Sequence, residues 1–179
     1  MEPTDPTEPR QSVHRKMMDL LARRNYSEAE LRARLARGGY HEDDIENAIS
    51  LAREKNWLPS AEDLATEVAE NLKRKNKGQR YINEFLEARG LPPVQKNEDE
   101  ELEQGLSLVR AKVLPKLAND PSLGYEEVKA KVVRFLASRG YGDAEDESSL
   151  ERFAEKAWQE FRAMAAGPDA VDSIDPAFD

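Results

Sequence analysis

The sequence has 179 residues, of which 35% are charged, and a formal net charge of −9 at pH 7. It contains no cysteine, which excludes a disulfide framework, a thiolate nucleophile and a cysteine zinc site. No apolar run is long enough to cross a bilayer, and the acidic, proline-rich N-terminus is unlike a signal peptide, so we expect a cytoplasmic protein with no membrane partner.

The first predicted elements are short helices. Residues 1–11 contain three prolines and show no periodicity, so we expect them to be disordered. Residues 12–58 carry apolar residues at helical spacing and predict three helices, which form a first repeat. The second of these helices has the clearest start, because Ser27 is a good N-cap and Glu30 follows as its capping-box partner. Gly39 ends the helix in a conformation that glycine adopts at low cost.

Two further repeats follow the first. The second, 59–107, begins with Ser60 as an N-cap, and the third, 108–164, ends in a divergent, acidic, amphipathic helix. Residues 165–179 carry four aspartates and no basic residue, so we expect a disordered acidic tail. No stretch alternates as a strand would, which predicts an all-α fold of tandem three-helix repeats in an elongated, curved stack. The aromatic residues expected in its core are Trp57, Phe153, Trp158 and Phe161.

Three predicted helix ends recur at a nearly constant interval. Gly39, Gly90 and Gly140 are 51 and 50 residues apart. In that register three columns of apolar residues coincide: Leu31, Ile82 and Val132; Leu35, Leu86 and Leu136; and Tyr40, Leu91 and Tyr141. Coincident apolar columns at a constant period indicate a helical repeat.

The residues of these repeats resemble a known family. The stretches 20–49, 77–91 and above all 128–141, which reads VKAKVVRFLASRGY, are similar to the RecX regulatory proteins. The resemblance covers roughly residues 12–142 and implies three tandem three-helix repeats. It also implies an inhibitor or modulator that binds the RecA recombinase or its single-stranded-DNA filament and acts on its ATPase, recombinase and strand-exchange activities. Such a role belongs to homologous recombination, DNA repair and the SOS response.

Basic residues are the candidates for partner binding. In the first repeat Arg34 and Arg37 lie on the outer face of their helix, and the alternative is an exposed Glu30–Arg34 ion pair. Arg134 and Arg139 match the family motif, although Arg139 can instead cap carbonyls at its helix end. The full candidate set is Arg32, Arg34, Arg37, Lys73, Arg74, Lys75, Lys77, Arg80, Lys131, Arg134 and Arg139.

The densest group of cations surrounds the predicted end of a helix in the second repeat. We call this group the basic loop; it consists of Lys73, Arg74, Lys75, Lys77 and Arg80, and no acidic residue follows before Glu84. Cations at a helix C-terminus also complement the helix dipole, which is a purely structural explanation. The alternative is contact with an anionic partner.

The sequence does not support catalysis. His14 and His41 lack further ligands at metal spacing, the acidic run 97–103 lacks the spacing of a calcium loop, and there is no phosphate-binding loop. We therefore expect a monomeric, cofactor-free interaction protein whose partner is the RecA filament, with at most weak contact to single- or double-stranded DNA. One alternative is a helix-turn-helix-like DNA-binding protein. Glu28 and Glu30 argue against it, because they would face the DNA phosphates at the leading end of the helix. Another is an adaptor for an unrelated partner.

Overall fold

The computed structural model describes residues 12–143 and 147–166. Within these residues it contains nine helices and no strand, so the predicted all-α class is confirmed. The helices are α1 (Val13–Leu21), α2 (Glu28–Arg37), α3 (Glu42–Glu54), α4 (Ala61–Arg74), α5 (Gln79–Ala88), α6 (Glu98–Lys112), α7 (Leu114–Leu117), α8 (Tyr125–Ala137) and α9 (Glu147–Ala166). The N-terminus predicted to be disordered lies outside the described residues, as does the acidic tail beyond Ala166.

The chain divides into two compact units, which are described separately. The first unit consists of Met1–Val68 and Phe85–Pro93, and the second of Ala69–Glu84 and Val94–Asp179. The predicted boundaries of the three sequence repeats stay a prediction. No helix among the described residues is long and apolar enough to cross a membrane.

Helices α1, α2 and α3 pack around one apolar cluster in the first unit. The predicted capping box at the start of α2 is confirmed, since the Glu30 N–H donates to Ser27 Oγ at 3.1 Å and the Ser27 N–H donates to the Glu30 carboxylate at 3.0 Å. Ser60 caps α4 by accepting the Asp63 N–H at its Oγ at 3.0 Å. The completely buried members of the cluster are Met17, Leu31, Leu35, Ala48, Ile49 and Ala52.

The aromatic residues do not all lie where the sequence predicted. Phe153 and Phe161 are buried, and Trp158 is half-buried beside them. The prediction for Trp57 was wrong, because its side chain is 43% exposed. Helix α3 has already ended at Glu54, and the positive φ of the residue before Trp57 turns the chain out of the helical path.

Helices α6, α7, α8 and α9 supply the core of the second unit. Gly105 lowers the helix propensity of α6, yet the helix continues through it. A Cβ at this position would lie 2.4 Å from a ring atom of Phe153, so glycine is what lets the Phe153 ring of α9 approach the α6 backbone. Tyr141 and Phe153 meet edge-on in the same core, with ring centroids 6.1 Å apart.

The three helix ends that define the repeat share one geometry. Gly39, Gly90 and Gly140 have φ values of 78°, 66° and 79°, which strongly favour glycine. In each case the residue after the glycine donates its N–H to the carbonyl four residues before that glycine, at 3.4, 2.9 and 3.2 Å. This is the Schellman motif, and it confirms the helix ends predicted from the glycine spacing.

Candidate partner-binding surface

The basic residues of the first unit differ in whether their charge is compensated. Arg32 lies in ion pairs with Glu28 at 3.3 Å and with Glu46. Arg53 forms an ion pair with the same Glu28 carboxylate at 2.7 Å. These contacts link α2 to α3, and they compensate the charge of Arg32 within the unit.

The predicted Glu30–Arg34 pair does not form. The Glu30 carboxylate instead accepts hydrogen bonds from Arg89 at 2.9 Å and from Arg24 at 3.0 Å. The Arg34 guanidinium lies 5.9 Å from the ring centroid of Tyr26, without a carboxylate partner in the described part of the chain. With respect to the described residues, Arg34 is therefore an exposed and uncompensated cation. The same holds for Arg37, whose Nε donates to the Ala33 carbonyl of its own helix.

Among the described residues, Glu30 is an acidic group whose pKa is strongly lowered by its surroundings. Partial burial alone raises the pKa of Glu30, but hydrogen bonds from Arg89, Arg24 and the Ser27 N–H lower that pKa to about 2, from an ordinary value of 4.5. Because the pKa is depressed in the folded state, its contribution to stability is complete above pH 4.5 and is lost as the pH falls from there toward 2.

We expect Glu30→Gln to lower the free energy of unfolding by about 1–2 kcal/mol at pH 7, since it removes charged hydrogen bonds but keeps the side-chain size. The difference between parent and variant should shrink at pH 3, where the parent carboxylate is losing its advantage. Urea unfolding of both proteins at the two pH values measures this. A difference of the same size at both pH values would contradict the ionic role of Glu30.

The structure separates the members of the basic loop into two kinds. Lys73 is only 21% exposed, and its ammonium group lies 3.2 Å from Glu100 and 3.4 Å from Glu70. Its charge is therefore compensated by a residue far along the chain. Arg74, Lys75 and Lys77 have no ion pair within the described residues: Arg74 bonds Asn71, Lys75 is exposed, and Lys77 lies 4.0 Å from the Tyr81 ring centroid.

Arg80 and Arg139 have structural contacts inside the second unit. The Arg80 guanidinium donates to the Ala137 carbonyl at 3.0 Å, and its Nε is buried without a hydrogen-bond partner. Arg139 lies 3.8 Å from the Phe135 ring centroid and donates to the Phe135 carbonyl at 3.1 Å. The carbonyl-capping alternative for Arg139 is thus the contact that the structure contains.

The remaining candidates lie on α8. Lys131 and Arg134 are exposed and have no ion pair within 12–143 and 147–166. Hydrogen bonds from Ser122, together with the nearby charge of Lys131, lower the pKa of Asp120. Lys131 and Arg134 stand one helical turn apart on one exposed side of α8, so they offer two adjacent positive charges.

A groove next to the basic loop includes a cation that sequence reasoning missed. Arg74 and Asn76, from the end of α4, lie on one side of it, and Ser107, Leu108 and Lys112 of α6 lie on the other. Lys112 has no ion pair in the described ranges. The only signal in the sequence was its place in the last turn of a predicted helix, which does not show that it faces the basic loop.

The arrangement of side chains does not create a metal centre in the described part of the chain. No group of three or more histidine or acidic residues that could hold a metal ion occurs among residues 12–143 and 147–166. His14 and His41 do line one shallow depression of the first unit, together with Tyr40 and Asp44. Their proximity could not be predicted from the sequence, because it depends on how α1 packs beside the start of α3.

Comparison with known proteins relates the chain to one group. A family model described as the first three-helix domain of RecX matches residues 15–50. "Regulatory protein RecX" of Neisseria meningitidis serogroup B is 27% identical over 159 residues, which are 85% of this chain and 97% of that protein. The protein of the same name from Vibrio parahaemolyticus is 31% identical over 126 residues, which are 69% of this chain and 80% of that protein.

A solved structure shares the fold. The crystal structure of RecX from Lactobacillus salivarius matches with a TM-score of 0.66, covering 82% of this chain and 95% of that chain. The sequences are 17% identical, so this likeness concerns the fold alone.

Proposed function

The chain belongs to the RecX family of regulatory proteins, and on that premise we propose that it binds the RecA recombinase assembled on single-stranded DNA and restrains its ATPase and strand exchange. It does so as a binding protein without catalytic activity of its own, in the cytoplasm, and as a monomer. The family membership supports a regulatory role, and the exposed cations of the described residues support a contact with an anionic surface.

The observation that carries this proposal is the group of uncompensated cations in the second unit. Arg74, Lys75 and Lys77 keep their positive charge on a chain whose net charge is −9. Fields of exposed charges act over about 10 Å at moderate salt, so a local positive group can attract an anionic surface despite the overall acidity. A nucleoprotein filament carries such negative charge on the phosphates of its DNA.

Direct DNA binding is the second candidate, and one observation favours it. The objection from the sequence was that Glu28 and Glu30 would face phosphates. In the structure both carboxylates are occupied, since Arg53 lies 2.7 Å from Glu28 and Arg89 lies 2.9 Å from Glu30. Arg34 and Arg37, later on the same helix, are left without carboxylate partners among the described residues.

The deciding experiment titrates the protein against naked single-stranded DNA and against RecA–DNA filaments at the same salt concentration. Our proposal expects tighter binding to the filament and a fall in ATP hydrolysis by RecA. Equal affinity for naked DNA and filament would favour the DNA binder. Binding to neither would indicate an unrelated partner and contradict the proposal.

Replacing both Lys75 and Lys77 with serine should weaken filament binding about tenfold at low salt, because two charge contacts are lost. The loss should shrink as salt rises, since screening already weakens these contacts in the parent protein. Fluorescence anisotropy of labelled filament at several salt concentrations measures both effects.

The matched control replaces Lys116 and Lys156 with serine. These residues are exposed cations of the same unit, so the change in net charge is identical while the basic loop is intact. Equal weakening by the two double variants would show that net charge, and not the basic loop, controls binding.

A further inference from the structure

The chain forms the same kind of helix-to-helix junction twice. In the first junction, inside the first unit, residues 89–91 at the end of one helix meet residues 25–30 at the start of α2. In the second junction, inside the second unit, residues 137–141 meet residues 78–81 at the start of α5. The glycine register matches the two, because it aligns Ser27 with Gly78 and Arg89 with Arg139.

The first junction depends on side chains. Ser27 Oγ donates to the Arg89 carbonyl at 2.5 Å, and the Arg89 guanidinium donates to both Glu30 carboxylate oxygens at 3.1 and 2.9 Å. Arg89 also donates to the Asn25 carbonyl at 3.3 Å. Between these two described segments no backbone N–H bonds a backbone carbonyl. The Glu30 carboxylate therefore accepts both charged hydrogen bonds of this junction.

The second junction depends on the backbone. The Gly78 N–H donates to the Arg139 carbonyl at 2.9 Å, and the Arg80 N–H donates to the Gly140 carbonyl at 3.1 Å. A Cβ on Gly78 would lie 2.4 Å from the Gly140 oxygen, which shows how closely the two chains approach. No ion pair joins these two described segments. Neither acid nor salt acts directly on such contacts.

Glu30 is the shared counter-ion of two arginines at the first junction. Arg24 reaches it from the loop before α2 at 3.0 Å, and Arg89 reaches it from the docked helix end. From α4, Glu67 accepts a hydrogen bond from the Asn25 side chain at 3.0 Å and pairs with neither arginine. Without the Glu30 charge, Arg24 and Arg89 would face each other as like charges with no counter-ion among the described residues.

We propose that the first junction is an ionic contact that opens reversibly when Glu30 loses its negative charge, while the second junction stays closed. Segment 85–93 would then separate from the first three helices. Lowering the pH does not isolate the effect of Glu30, because many other carboxylates titrate in the same range. A neutral variant of Glu30 at pH 7 isolates the effect.

The test uses distances between pairs of spin labels. The chain has no cysteine, so A33C/E87C labels the first unit and E84C/S138C labels the second, all at exposed positions. In the parent at pH 7 we expect one short distance for each pair. In Glu30→Gln we expect a second, longer distance to appear for the first pair, because loss of the charged hydrogen bonds shifts the balance toward the open form about tenfold. The second pair should be unchanged.

Glu28→Gln is the matched control, because Glu28 lies in the same turn of α2 but pairs with Arg53 and Arg32 instead. It should change neither distance. Arg89→Lys keeps the positive charge but loses the hydrogen bonds from two guanidinium nitrogens to Glu30. It should therefore lengthen the distance between the first pair of labels, as Glu30→Gln does. A single short distance in both Glu30→Gln and Arg89→Lys would overturn the proposal, as would lengthening of both pairs together, which indicates general loosening.

Discussion

Replacing Gly140 with alanine is expected to lower the free energy of unfolding by about 3 kcal/mol or more, from backbone strain and overpacking together. The φ of Gly140 is 79°, and an added Cβ would lie 2.4 Å from the Tyr81 Cβ and 2.6 Å from the Tyr81 nitrogen. The second junction cannot accommodate this atom without moving the backbone of α5. Urea unfolding followed by circular dichroism measures the loss.

Gly124→Ala is the control for this prediction. Gly124 precedes α8 with a φ of −82°, and the nearest atom to an added Cβ is a Glu127 carboxylate oxygen at 3.8 Å. We expect a change of no more than about 1 kcal/mol, since alanine is only a poorer N-cap than glycine. Equal losses at Gly124 and Gly140 would mean that close approach in the second junction is not what requires glycine.

Leu35→Ala and Leu86→Ala are each expected to cost about 2–5 kcal/mol, the usual range for leucines in a packed core. The two residues occupy the same column of the repeat and are 1% and 0% exposed. The loss of unfolding free energy combines two costs: the removed apolar groups no longer contribute their burial, and a cavity is left in the core. Thermal or urea unfolding of the two variants, with helicity checked by far-UV spectra, measures it.

Leu51→Ala provides a comparison within the first unit, because Leu51 is only partly buried. Its loss should be clearly smaller than that of Leu35→Ala, since less apolar surface is returned to water. Losses below about 1 kcal/mol at both Leu35 and Leu86 would show that the glycine register does not mark core positions.

Local patterns in the sequence were enough to predict helix starts and ends. The capping box of Ser27 and the positive φ of Gly90 involve residues a few positions apart, which a pattern can reveal. Gly105 shows the limit of this approach. Its effect on helix propensity is local, but the reason that the helix tolerates it is the ring of Phe153, which comes from another helix.

The candidate surface was predicted less completely, because compensation of charge depends on distant residues. Lys73 was predicted as a candidate for partner binding, but Glu100, 27 residues away, compensates its charge in the structure. Glu30 was expected to pair within its own helix, but its strongest partner, Arg89, is 59 residues away. A sequence shows where charges are concentrated, whereas only the folded chain shows which of them are available to a partner.

The start of α8 limits how far this architecture can extend. In the glycine register the residue that matches Ser27 and Gly78 is Val128, which is 0% exposed. Helix α8 begins one turn earlier, at Tyr125, so no helix start is present where a further helix end would dock. Repeating proteins with a receptive surface at one end risk adding copies of themselves without limit, as open fibres do. Because α8 starts one turn earlier, the described residues offer no such helix start at this position for a second copy of the chain to dock against.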